Sequence, residues 1–364
     1  MTERDRLLQT FLRLVRISSP SGDEGEVAEA ISQELRALGL AVERDSAGNL
    51  LARLDGPESA GEPLLLTAHM DTVRPCERVT PVIQGDVISS DGSTILGADD
   101  KAGVAIILEA LRTLLEEGGP HRPIEALFTV GEESGLDGAK ALAPTWLRAR
   151  MGIGLDSGGD PGMMVASAPS HDTLVAAIHG RAAHAGVKPE AGVNAILVAA
   201  EAISAMPLGR VDAETTANIG IIAGGLATNI VPDLVTLHGE ARSHDPAKLE
   251  AQTRAMVQAL EQSAQARGAT VDIRVTREYE GYRFSEGDPI IRLVSAAMRS
   301  LGLSPILHDT GGGSDANILN AAGISTVQIS AGMAEAHTTK EHVALSDMVA
   351  ATRIVLECVR GPSR

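Results

Sequence analysis

Aromatic side chains are nearly missing from this chain, with one Trp, two Tyr and three Phe among 364 residues. So small a supply builds neither the base-stacking platforms of single-strand binders nor the aromatic belts of membrane proteins. Positive charge is short too: 31 Lys and Arg stand against 48 Asp and Glu, and a net charge of −17 repels a phosphate backbone. Nucleic acid is excluded as a partner. Long apolar runs are lacking, since the best stretch, Gly103 to Leu108, stops at Glu109, far short of the ~20 residues a bilayer span needs. No membrane partner is expected. Cysteine is scarce, and Cys76 and Cys358 form neither a thiolate metal motif nor a disulfide framework, as in a reducing compartment. The opening segment MTERDRLLQTFLRLVRISSP mixes acids and bases into its apolar positions, unlike a signal peptide, so a cytoplasmic location is expected.

What remains is an ordinary globular composition, 44% apolar and 22% charged, in a chain long enough for two domains. Apolar spacing over Leu7 to Ile17 and Val27 to Leu38 predicts two amphipathic helices, and Leu50 to Leu54 a short strand. Four segments then share one pattern, a short apolar run that ends in polar residues able to bind a cation. Leu64 to Ala68 runs into His69 and Asp71; Ala126 to Val130 into Glu132 and Glu133; Gly152 to Leu155 into Asp156; Thr326 to Ile329 leads by a loop to His337. Helical stretches intervene at Gly103 to Leu115 and Gly138 to Arg148. The expectation is an α/β fold, a mostly parallel sheet with helices on both faces and its ligand site beyond the carboxyl ends of the strands. Between residues 171 and 283 the character changes to alternating strands, Thr173 to Ile178 and Val235 to Gly239, around helical Val193 to Ile203 and Ala247 to Ala266. That predicts an inserted α+β domain at 171–283 and a discontinuous catalytic domain of 1–170 and 284–364.

His69 and Asp71 lie two apart in extended chain and share a side, so one can ligate while the other orients it. Asp99 and Asp100 open a helical run, where acids complement the positive end of the helix dipole. Glu132 and Glu133 are adjacent after a buried strand, which raises their affinity for a proton or a cation. Taken one at a time, each has an ordinary reading as a turn, a cap or a surface residue. Together, two histidines and several carboxylates without cysteine suit zinc, with manganese or cobalt as alternatives, and two divalent ions offset the carboxylates better than one.

The segments HMDTV (His69 to Val73), GADDKAG (Gly97 to Gly103), FTVGEESG (Phe128 to Gly135), LDSGG (Leu155 to Gly159) and AHTTKEH (Ala336 to His342) resemble those of the peptidase T-like metallopeptidases, within the wider aminoacylase and carboxypeptidase family. The resemblance spans essentially the whole chain and implies a dizinc hydrolase with an inserted lid or dimerisation domain. It implies that Asp99 bridges both metals, His69 and Asp156 complete one site, and Glu133 and His337 the other. Asp71 would steer His69, and Glu132 would be the general base. In RAAHAGVKPEAGVNAI (Arg181 to Ile196) the resemblance makes His184 the residue that reaches a partner subunit's site and stabilises the oxyanion. Asn229 and Arg242, thirteen residues apart, would bind substrate amide or carboxylate, and Gly312 and Gly313 would line the pocket. One departure stands out: the resembling tripeptidases carry an Arg where this chain has Gly311, with Tyr282 and Arg283 as possible substitutes. The expected activity is hydrolysis of short peptides by a homodimer. Hydrolysis of N-acyl amino acids, or a metal-binding module without catalysis, are the alternatives.

Overall fold

Leu64, Leu65 and Leu66 stand in a row, and all three are fully buried. Successive strand residues face opposite sides of a sheet, so burying such a run requires cover on both faces. The computed structural model shows that cover and describes residues 2–57, 61–143 and 145–360. Leu64 and Leu66 enter a core on one face together with Leu50, Ala52, Ala126 and Phe128. Leu65 joins Leu51 and Leu127 in a smaller core on the other.

By contact the chain divides into two compact units: one drawn from Met1–Ala166, Arg283–Asp309 and Ser314–Arg364, the other from Ser167–Tyr282 and Thr310–Gly313. Along the chain come helices α1 (Glu3–Val15) and α2 (Gly25–Ala37), then strands β1 (Val42–Arg44), β2 (Leu50–Leu54), β3 (Leu64–His69), β4 (Pro81–Gln84) and β5 (Val87–Ser90). After these follow α3 (Ala98–Glu117), β6 (Ile124–Thr129), α4 (Asp137–Lys140), β7 (Met151–Gly154) and β8 (Met163–Ala168). The second unit holds β9 (Ser170–His179), α5 (Ala195–Ala205), β10 (Gly209–Arg210), β11 (Thr215–Gly224), β12 (Leu234–Ser243), α6 (Pro246–Arg267) and β13 (Thr270–Tyr279). The return carries β14 (Tyr282–Arg283), α7 (Pro289–Ser300), β15 (Ile306–Asp309), α8 (Asp315–Ala321), β16 (Ser325–Ile329), β17 (Met333–Ala334), β18 (His342–Ala344) and α9 (Leu345–Arg360).

The large sheet of the first unit runs β1-β2-β6-β3-β7-β16-β8-β14, with β15 paired to β8. Its centre, β6-β3-β7-β16, is parallel, and β2 and β8 flank it antiparallel. The expected α/β architecture is therefore present, with antiparallel strands confined to the flanks. The α3 helix is the main apolar layer: Val104 to Leu108 are buried without interruption. Its buried Glu109 is tied to Arg6 of α1 at 2.6 Å, since a carboxylate removed from water needs a partner. A second sheet, β17-β18-β5-β4, has four strands.

One expected helix shrinks. Of the run 138–148 only α4, Asp137–Lys140, is helical, followed by turns. Pro144 lies outside the described residues, but the residue before a proline is steered away from helical geometry. Trp146 and Leu147 still pack against the smaller core from irregular chain.

In the second unit an antiparallel sheet, β10-β11-β12-β9-β13, packs Leu174, Ala176, Ile178, Val235 and Leu237 against α5 and α6. Both helix starts are capped as their sequences dictate: Asn194 accepts from the Leu197 N–H at 3.0 Å, and Asp245 from the Ala247 N–H at 2.8 Å.

Candidate active site

Parallel strands end together, so residues just past β3, β6 and β7 are neighbours although far apart in sequence. His69 closes β3 at 2% exposure. Its Nδ1 lies 2.9 Å from the Asp71 main-chain oxygen and 3.4 Å from Asp71 Oδ1, which turns Nε2 toward Asp99 Oδ1 at 3.1 Å and Asp156 Oδ1 at 3.8 Å. Asp99 stands at the start of α3 with non-helical backbone angles, following Gly97 at φ 75°, a left-handed conformation that glycine adopts without cost. Its Oδ2 is 3.3 Å from His337 Nε2, and the same nitrogen is 2.8 Å from Glu133 Oε1.

Three overlapping trios result among the described residues, each with donor atoms within 4.8 Å of one another: His69, Asp99 and Asp156; His69, Glu132 and Glu133; Asp99, Glu133 and His337. The seven positions singled out at the strand ends and the start of α3 (His69, Asp71, Asp99, Glu132, Glu133, Asp156 and His337) thus fall in one unit and at one place. His184, Asn229, Arg242, Gly312 and Gly313 belong to the other unit. There the Ala185 N–H donates to the Asn229 carbonyl at 2.9 Å, and His184 bridges Ile230, so His184 and Asn229 are neighbours. Arg242 Nη1 faces the Gly311 carbonyl at 3.4 Å and Nη2 the Glu240 carboxylate at 3.1 Å. A side chain at Gly313 would run into the Tyr279 ring.

The electrostatics of the cluster call for positive charge. Burial, reinforced by Asp99, pushes the Asp156 carboxyl well up, and burial together with Asp156 does the same to Glu132. Asp99 moves down: burial opposes this, but contacts with His337 and His69 prevail. His337 is raised to about 10 by Asp99 and Glu133. These shifts follow from burial and from mutual repulsion among the carboxylates, which added positive charge would relieve. An all-His, Asp and Glu donor set with this spacing fits divalent transition ions, which would supply that charge instead.

Three residues around the site, Gln328, Asp315 and Glu341, had received no role from the sequence, and Asp100 only that of an acid at a helix start. Gln328 accepts the Asp156 N–H at 3.2 Å and approaches Asp156 Oδ2 at 3.4 Å, a fit that requires Gly154, where any Cβ would collide with the Gln328 amide. Asp100 accepts the His69 N–H at 3.3 Å. Asp315 is buried at the start of α8, takes the Thr129 hydroxyl and is raised by burial to about 6. Glu341 is fully buried behind Asp99. The one signal available was a polar residue inside a buried segment, visible for Gln328 between Val327 and Ile329.

The family model for peptidase family M20/M25/M40 matches residues 65–361. An aminopeptidase PepT from Bacillus cereus ATCC 10987 superposes with a TM-score of 0.91 at 42% identity, covering 98% of both chains. A tripeptidase from Staphylococcus aureus Mu50 gives 0.93 at 41% identity, again over 98% of both. The protein YqjE of Bacillus subtilis strain 168 is 41% identical across the full length of both chains. The site and fold are those of a peptide-bond hydrolase. The chain belongs to peptidase family M20/M25/M40, and its fold is peptidase T-like.

Proposed function

We propose that this chain is a two-zinc exopeptidase acting on short peptides, with manganese or cobalt able to replace zinc. The observation that carries the reading is the pair of trios that share Asp99. In this reading His69 and Asp156 hold one ion, Glu133 and His337 the other, and Asp99 both. Bound there, the ions would polarise the scissile carbonyl and acidify the attacking water. Glu132, which neither of these two trios uses, takes the proton from that water and returns it to the leaving amine. Asp71 fixes the tautomer and direction of His69. Asn229 and Arg242 hold the substrate's amide and carboxylate, and Gly312 and Gly313 line its pocket.

His184 donates to the developing oxyanion from a second copy of the chain, which makes a homodimer part of the proposal. The inserted unit offers a surface for it. On the side away from β12, among the described residues, β11 pairs only with Gly209 and Arg210, through Ala217 and Thr216. Beyond that pairing Ile221 and Ile222 are more than half exposed, and Leu226 is 85% exposed. An open strand edge beside exposed aliphatic side chains is a template for self-pairing. A cytoplasmic location accords with two free, buried cysteines, and among the described residues no helix is long and apolar enough to cross a membrane.

The test is a profile of the zinc-loaded protein against dipeptides, tripeptides and N-acyl amino acids. Cleavage that requires a free amino terminus is expected. Turnover confined to N-acyl amino acids would make the protein a deacylase and overturn the peptide reading.

A further inference from the structure

Glu341 is as buried as any aliphatic core residue, at 0% exposure, yet it sits beside a cluster already crowded with acids. Burial pushes its carboxyl up, against the lowering effect of hydrogen bonds from the Asp99 and Gly97 main-chain N–H groups. A carboxylate kept at such a place must be satisfied by specific donors. Oε2 accepts the Gly97 N–H at 2.7 Å and Oε1 the Asp99 N–H at 2.9 Å. Both amides precede the first regular turn of α3, where the chain has no intrahelical acceptors to offer. The far end of Glu341 is equally fixed. Its own N–H donates to the Thr338 carbonyl at 3.1 Å, and the Thr338 hydroxyl donates to the Glu335 carbonyl at 2.8 Å while accepting the Lys340 N–H at 3.1 Å. That short turn begins immediately after His337, which itself holds φ at 64°.

One side chain therefore connects the backbone that presents Asp99 to the loop that presents His337. We propose that Glu341 is a positioning residue that sets the spacing between the Asp99 carboxylate and the His337 imidazole, and so the affinity of the ion they share. The inference rests on the two-metal reading above. It touches neither ion nor substrate, and acts by accepting two main-chain N–H groups at once. Gln cannot do this, since one end of its amide is a donor and would face an N–H. Asp keeps both acceptor oxygens but is one methylene short.

The test compares wild type, Glu341→Gln and Glu341→Asp by competition for zinc against a chromophoric chelator, with the visible spectrum of the cobalt-loaded protein as a geometric readout. Outer hydrogen-bond partners of metal ligands typically account for about 10–100-fold in metal affinity. Glu341→Gln is expected to weaken one of the two zinc affinities by that factor and to alter the cobalt spectrum, with Glu341→Asp in between. Unchanged zinc affinities and an unchanged cobalt spectrum in Glu341→Gln, whatever its melting temperature, overturn the proposal. If that variant does not fold, hydrogen exchange of the metal-free wild type decides: Gly97 and Asp99 amides protected like the body of α3 support it, and exchange at the rate of an exposed loop overturns it. A wild type that takes up no ion contradicts the two-metal reading itself, an outcome distinct from a metal-binding wild type with an indifferent variant.

Discussion

The Asp71 carboxylate grips the main chain of Glu132: its Oδ1 accepts the Glu132 N–H at 3.0 Å. Its Oδ2 takes the next amide, that of Glu133, at 3.1 Å and the Ser21 hydroxyl at 2.7 Å. Burial alone would raise this carboxyl, but the contacts with His69, Ser21 and Glu132 hold it at about 2. Asp71 thus fixes two strand ends together, that of β3 with His69 and that of β6 with the paired glutamates. Asp71→Ala should lower zinc affinity and kcat about 10–100-fold, while Asp71→Asn, which keeps one acceptor, should lose less. Equal metal affinity in wild type and Asp71→Ala, read by chelator competition, would contradict this role.

Glu132→Ala separates chemistry from metal binding. The variant should keep its metal content and lose about 10²–10⁴-fold in kcat. Near-normal turnover at pH 7 would remove Glu132 as the base, and loss of metal would make it a ligand.

His184→Ala should reduce kcat more than it raises KM, because an oxyanion donor acts in the transition state and not on the bound ground state. Steady-state kinetics over a wide peptide concentration range reads the split. A rise in KM at constant kcat reassigns His184 to substrate binding.

A pH effect follows from the inserted unit. The Glu240 carboxyl is lowered to about 2, first by its contact with His171, against the effect of burial, and further by Arg242. An unfolded Glu titrates near about 4.3, so the unfolded chain binds this proton first as the solution is acidified. The stabilisation is therefore complete above that value and disappears as pH falls toward 2. Glu240→Gln should flatten the decline of melting temperature over this interval. A decline as steep as in wild type would show that Glu240 contributes nothing to it.

The parts of this site that were legible in the sequence share a local cause. His69, Glu132 and Asp156 each follow an apolar run, and a buried parallel strand produces just such a run before the chain turns polar at its end. The same logic placed α5 and α6, whose apolar spacing is regular. β11 and β13 were not anticipated, because β13 is mostly exposed and half-exposed along Thr270–Tyr279 and β11 leaves Ile221 and Ile222 uncovered. β11 shows no clean inward and outward alternation, whereas β13 does alternate over Thr270 to Arg274, with Val271 and Ile273 facing the core. Glu341 was illegible for another reason: its acceptors serve an amide 244 positions away, so its role exists only once β3, α3 and the loop after β17 have met.

The most direct test of the central claim is an anomalous difference map, collected at the zinc edge, from crystals of zinc-loaded protein. The account predicts two peaks, one touching His69 and Asp156, the other Glu133 and His337, with Asp99 touching both. A map without a peak among these five side chains, from protein that cleaves peptides in the same buffer, would contradict it.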